Sequence, residues 1–194
     1  IQEYKNISDF SSMEQLCLST LDEISKSDME NAKLKGMMYE GALFAEIQTY
    51  QFDKAISNLK DFLSDKDNSE KCIAGLCFYG VEASLAKKSY RSAYTYAQRY
   101  LDIYDKISKI EDTSIDDMTF MCGNVFEQRK IMYCIAGIIT AGVRIGNLSV
   151  IYEYFDRFDL GSHDEPIVQL SQGMNYAFSH FDFDEIFVTY ASKM

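Results

Sequence analysis

The chain is poor in the residues that break helices. It has one proline in 194 residues and only ten glycines, which excludes a loop-rich, proline-punctuated fold and leaves room for long helices. Clustered basic residues are missing too. The net charge is -11, and the densest cationic group, Lys87, Lys88 and Arg91, reads as a solvated turn. A phosphate-binding face needs grouped Lys and Arg, so nucleic acid is excluded as a partner, and adsorption to an anionic membrane is disfavoured. The longest apolar run, Ile135 to Val143, is broken by glycine and threonine and falls well short of the roughly 20 residues of a membrane span.

The groupings that carry catalysis are also lacking. The two histidines, His163 and His180, stand in no His-Glu-x-x-His or comparable zinc spacing. Ser179, His180 and Asp182 are neighbours in sequence, which does not make a triad. Gly36 and Gly41 have a phosphate loop's spacing, but Ala42 follows them inside a helical stretch. Glu111, Asp112, Asp116 and Asp117 crowd one link without the alternation and turn glycine of a calcium loop. They read as a solvated loop beside the capping types Thr113 and Ser114. No independent enzyme, cofactor or metal is expected. The five cysteines, Cys17, Cys72, Cys77, Cys122 and Cys134, include no Cys-x-x-Cys and sit among apolar neighbours. They read as core residues in a reducing, cytoplasmic setting.

What the chain has in quantity is aromatic and apolar mass. There are 14 tyrosines and 13 phenylalanines with 47% hydrophobic residues overall, enough for interhelix packing in one domain over residues 1–194. The chain opens on Ile1 rather than Met, which allows for a fragment of a longer protein.

One phrase recurs: an aromatic or large apolar residue, two polar or small ones, a packing position, and another four residues later. It appears as Phe52–Ala55 with Leu59, as Tyr90–Ala93 with Ala97, and as Leu148–Ile151 with Phe155. It returns as Phe183–Ile186 with Tyr190, and a weaker copy, Phe10–Met13 with Cys17, opens the chain. Successive copies lie 42, 38, 58 and 35 residues apart, the mark of a helical repeat. Helical periodicity predicts helices over about 10–26, 27–49, 53–64, 69–87, 90–107, 115–145 and 148–157, with two more ending near 179 and 192. The long one over 115–145 has a possible break at Gly123. Ser11 with Glu14, Ser27 with Glu30, and Ser162 with Glu165 have capping-box spacing, and Pro166 suits a first helical turn.

The helix pairs, with Phe52/Ala55 and Tyr90/Ala93 opening second helices and Gly80, Ala83, Ser84, Gly173 and Ala177 supplying small first-helix residues, resemble the tetratricopeptide repeat family. Ile151 and Ile186 depart from the family's alanine, and Glu46 stands where an aromatic is usual. The resemblance implies an all-α, right-handed superhelix of about four stacked antiparallel helix hairpins with an extra N-terminal helix. It further implies a non-catalytic scaffold whose concave face, lined by the first helices, binds a peptide or protein segment. On that face it places Glu40, Phe44 and Gln48, then Phe78 and Glu82, then Tyr133, Thr140 and Arg144, and finally Asn175. The aromatics of this set would serve as anchors and the polar members would pair backbone groups. No basic clamp for a peptide carboxylate emerges, since Arg144 stands alone. Phe183, Phe187 and Tyr190 offer a route to self-association at the C-terminal end. A looser rhythm, Tyr100–Tyr104, Glu127–Lys130 and Tyr152–Asp156, is similar to the helical-repeat extensions that follow bacterial family 2 glycosyltransferase domains. That likeness implies an accessory tail. A third expectation is the ligand-sensing repeat domain of a bacterial regulator.

Overall fold

A computed structural model describes residues 9–26, 32–65, 68–108, 119–120, 123–126, 128–147 and 149–158. The described chain is almost wholly helical: α1 (Phe10–Lys26), α2 (Ala32–Gln48), α3 (Phe52–Ser64), α4 (Glu70–Ala86), α5 (Tyr90–Ser108), α6 (Gln128–Arg144) and α7 (Ser149–Arg157). Between α5 and α6 a two-residue antiparallel pair, β1 (Thr119–Phe120) and β2 (Gly123–Asn124), joins Thr119 to Asn124 and Phe120 to Gly123. The expected boundaries of α1, α3, α4, α5 and α7 hold to within a residue or so. The expected helix over 115–145 is corrected: it starts at Gln128, and Gly123 belongs to a strand rather than to a break between helices. The helices expected beyond residue 158, the acidic link at 109–118, Ser27/Glu30 and Ser162/Glu165 lie outside the described residues.

Local signals explain the ends. Asp9 Oδ1 accepts from the Ser12 amide at 3.1 Å, so Asp9 caps α1. The capping box expected from Ser11 and Glu14 is thereby corrected: Ser11 lies inside the helix, and Glu14 is buried and bonded elsewhere. Ser69, expected as the first helical residue, is instead the cap of α4, its hydroxyl accepting from the Cys72 amide at 3.3 Å.

The first helices of three successive pairs end alike. After α2, Gln51 N–H donates to Glu46 O at 2.7 Å and Tyr50 N–H to Ile47 O at 3.0 Å. After α4 the same bonds run from Ser89 to Ser84 and from Lys88 to Leu85, both at 2.8 Å. After α6 they run from Asn147 to Gly142 at 2.8 Å and from Gly146 to Val143 at 3.0 Å. Each turn places its central residue in the left-handed region, with φ of 61° at Tyr50, 57° at Lys88 and 85° at Gly146. This is the Schellman arrangement, which satisfies the last carbonyls of a helix. The three helices it closes are each 17 residues long, and their starts and ends repeat at the intervals of 38 and 58 residues already seen in the sequence.

Packing follows chain order with one addition. Each helix contacts the next, and α2 also contacts α4, which in turn contacts α6. The main core runs through α2 to α7 and includes fully buried Phe62, Leu59, Tyr100 and Tyr154. Gly80 on α4 allows close approach, because a Cβ there would run into Leu59 and lie 2.9 Å from the Tyr96 ring. Val150 on α7 fills the corresponding space over Gly142, where an added Cβ would clash with it. The buried stripe of α7 is carried by Val150 and Tyr154, while the side chains of Ile151 and Phe155 lie outside the described residues. A second, smaller cluster joins α1 to α2 through Met13, Cys17, Met38, Ala42 and Ala45. Cys17, Cys72, Cys77 and Cys134 are buried, as expected of core residues.

Candidate functional face

The contacts among α2, α4 and α6 bring four rings of neighbouring helices into one chain. Phe44 of α2 lies 6.4 Å from Tyr79 of α4, Tyr79 lies 5.2 Å from Phe78, and Phe78 lies 5.3 Å from Tyr133 of α6. Phe10 of α1 extends the row, edge-on to Phe44 at 5.7 Å. All four pairs are edge-to-face, the geometry that sets the positive ring edge on the negative ring face. A cation lies over one member of the row, with Lys130 Nζ 5.6 Å from the Phe78 centroid. Tyr79 O–H points at Glu40 Oε1 across 3.5 Å, the long limit for such a bond.

The predicted residues divide by burial. Phe78, Tyr133, Glu40 and Thr140 are buried, and Thr140 spends its hydroxyl on the Ala136 carbonyl at 2.7 Å. These four hold the row together and offer no exposed surface. Phe44 and Glu82 are half-buried, while Gln48 and Arg144 are exposed. Arg144 lies over the Tyr90 ring at 5.9 Å, which directs it toward the start of α5. Asn175 lies outside the described residues.

Two carboxyls in this part of the molecule titrate near neutrality. Burial pushes the Glu82 carboxyl up to about 7, and no cation among the described residues offsets it. Although part of Glu82 reaches solvent, its surroundings are apolar enough to favour the neutral acid. Glu46, fully buried on α2, is also pushed up to about 7, first by burial and then by the charge of Glu14. Both groups lie on first helices, but they belong to different environments. Burial is what acts on Glu82 among the described residues, whereas Glu46 faces α1 and α3 in a polar cluster.

Sequence reasoning missed Tyr79, the link between the α2 and α4 rings, and Lys130, the buried cation over Phe78. Tyr79 adjoins Phe78, and nothing in the spacing says which of two neighbouring rings turns toward α2. Glu46 did leave a signal, as an acid where the repeat pattern has an aromatic.

An open groove of about 420 Å³ between α4 and α5, lined by residues including Glu70, Arg99 and Lys106, touches none of the predicted positions. Among the described residues no group of three or more His, Cys, Asp or Glu side chains is placed to hold a metal ion, and no helix is long and apolar enough to cross a membrane. No family model matches the chain, nor does any curated protein or solved structure.

Proposed function

We propose that this chain is a non-catalytic scaffold of tetratricopeptide-like helix hairpins, coiled as a right-handed superhelix, that binds a peptide or protein segment along the face of α2, α4 and α6. The observation that carries the reading is the threefold repetition of one unit: a 17-residue helix, the same Schellman turn, and a second helix. Contact of α2 with α4 and of α4 with α6 supports a continuous face rather than separate hairpins. Repeats of this kind expose such a face because each hairpin buries its own apolar side against its neighbours.

Recognition on this reading falls to the accessible members. Phe44 supplies a half-buried ring, Gln48 an amide, Glu82 a carboxyl that changes charge near pH 7, and Arg144 a cation. Glu40, Phe78, Tyr133 and Thr140 set the spacing beneath them. A displayed peptide library selected against the full chain tests the proposal. Selected peptides are expected to lose at least about tenfold in affinity with Gln48→Ala plus Glu82→Ala, at an unchanged melting temperature measured at pH 4, where Glu82 is neutral in both folded and unfolded chain. Failure to enrich any peptide, or equal affinity for the double variant, overturns it.

A further inference from the structure

Glu14 of α1 and Glu46 of α2 are both buried, and the nearby cation Lys54 of α3 serves the two of them. Lys54 Nζ is ion-paired with Glu14 Oε1, whose other oxygen accepts from Gln51 Nε2 at 3.1 Å. Glu46 Oε1 accepts from Asn58 Nδ2 at 2.5 Å, and its Oε2 has no hydrogen-bond partner among the described residues. Two acids from adjoining helices thus share one direct ion pair, and the acid left over is the more deeply buried. An ionised carboxylate in that position is costly, because burial removes its hydration and a like charge stands nearby.

We infer that the Glu14–Lys54–Glu46 cluster is a proton-operated latch, which holds α1 against α2 and α3 in acid and loosens it toward alkaline pH. The charged groups acting on Glu46 are Glu14 from α1 and Lys54 from α3; α4 brings none among the described residues. With its proton on, Glu46 is neutral, and the Glu14–Lys54 pair ties α1 to α3 undisturbed. With the proton lost, the cluster holds two negative charges for one positive. Moving α1 away is the cheapest relief, since it admits water and frees Lys54 to turn to Glu46. That movement can leave the main core in place, because α1 is held by its own cluster, which meets the main core at Phe44. This latch is independent of the peptide-binding proposal.

The sign follows from the carboxyl's rise from 4.5 to about 7 in the closed form. The contribution of Glu46 to the closed form is fully present below pH 4.5 and is lost as pH rises through 7. If opening restores the ordinary value, the open fraction grows roughly 50- to 100-fold between about pH 5 and 8.

Hydrogen exchange of the full chain, corrected for the intrinsic pH dependence of amide exchange, measures this directly. Protection of the α1 amides is expected to fall by that factor from pH 5 to 8, and Glu46→Gln, which keeps the neutral shape, is expected to abolish the fall. Glu14→Gln, which removes the like charge and leaves Glu46 in place, is expected to reduce it and serves as the readout if Glu46→Gln does not fold. Equal α1 protection at both pH values, or a fall undiminished in whichever variant folds, overturns the latch.

Discussion

The two hydrophobic clusters of this chain are built differently. The main core is a continuous body spanning six helices, with large side chains such as Tyr100, Tyr154 and Phe62 fully buried. The α1–α2 cluster buries Met13, Cys17, Met38 and two alanines, with partly buried side chains such as Leu18, Leu21 and Ile24 packed against them, and the Glu14–Lys54 pair and Gln51 add polar ties. Apolar area scales with stabilisation at about 25 cal/mol per Å², so the large core sets the stability of the fold. The small cluster sets only whether α1 stays down. Phe44 packs against both, and through Phe10 and Tyr79 it links them by ring contacts.

The largest effects should separate the clusters. Phe62→Ala removes a fully buried ring that packs edge-on to Tyr39, and should cost about 3–5 kcal/mol with loss of the whole fold in one denaturant transition. Met13→Ala should cost about 2 kcal/mol, near the low end for such a change, because α1 can settle into the space. Its effect should appear as faster exchange in α1 with the main transition little changed. A Met13 variant that lowers the main midpoint as far as Phe62→Ala does would show that the clusters unfold together.

The same contrast marks what could be read in the sequence. The helices of the main core were legible because long stripes, such as Ala97, Tyr100 and Leu101 on α5, repeat at helical spacing. The small residues of the first helices were legible as well, and Gly80 proves to be one that Leu59 and Tyr96 require. The start of α6 was not. Thr113 and Ser114 look like caps and no proline intervenes, yet tertiary contacts fix an irregular segment just before Gln128. Tyr100 O–H donates to the Val125 carbonyl at 2.7 Å, and the Phe126 ring lies 5.7 Å from that of Tyr100. A bond to a residue 25 positions away leaves no periodic trace. The proposed face was half legible: the resemblance to a helical repeat implied a face with Phe44 and Phe78 on first helices, but could not tell the half-buried ring from the buried one.

Next in size comes the glycine at the tightest approach within the main core. Gly80→Ala inserts a methyl group against Leu59 and Tyr96, and should cost about 1–3 kcal/mol in the denaturant midpoint. A neutral result would mean that α4 can move off α3 and α5 without penalty, and that the main core is as yielding as the small one. Glu82 gives a pH test of the same core. Its carboxyl is raised from 4.5 to about 7, so its contribution is fully present below pH 4.5 and lost as pH rises through 7. Glu82→Gln should therefore raise global stability at pH 8 by about 1–2 kcal/mol, after discounting for partial exposure, and leave it unchanged at pH 4. The gain should appear in the main transition, not in α1 exchange, where Glu46 acts. A gain that is equal at both pH values would separate it from ionisation.

The smallest effect is the sharpest comparison, because the same device stands in both regions. Asp9 caps α1 and Ser69 caps α4, each by accepting one backbone N–H. Removing either side-chain acceptor by substitution with alanine should cost about 1 kcal/mol locally, with a little more at Asp9, whose charge also faces the positive end of the helix. The difference lies in where the cost is felt. α4 contacts α2, α3, α5 and α6, so Ser69→Ala cannot loosen its helix without disturbing the main core, and the denaturant midpoint should fall. α1 packs chiefly on α2, so Asp9→Ala should leave that midpoint in place and raise exchange only in α1, about fivefold for 1 kcal/mol. Equal shifts of the main transition in the two variants would mean that α1 belongs to the same cooperative unit as α4. The buried polar cluster would then be a structural tie rather than a latch.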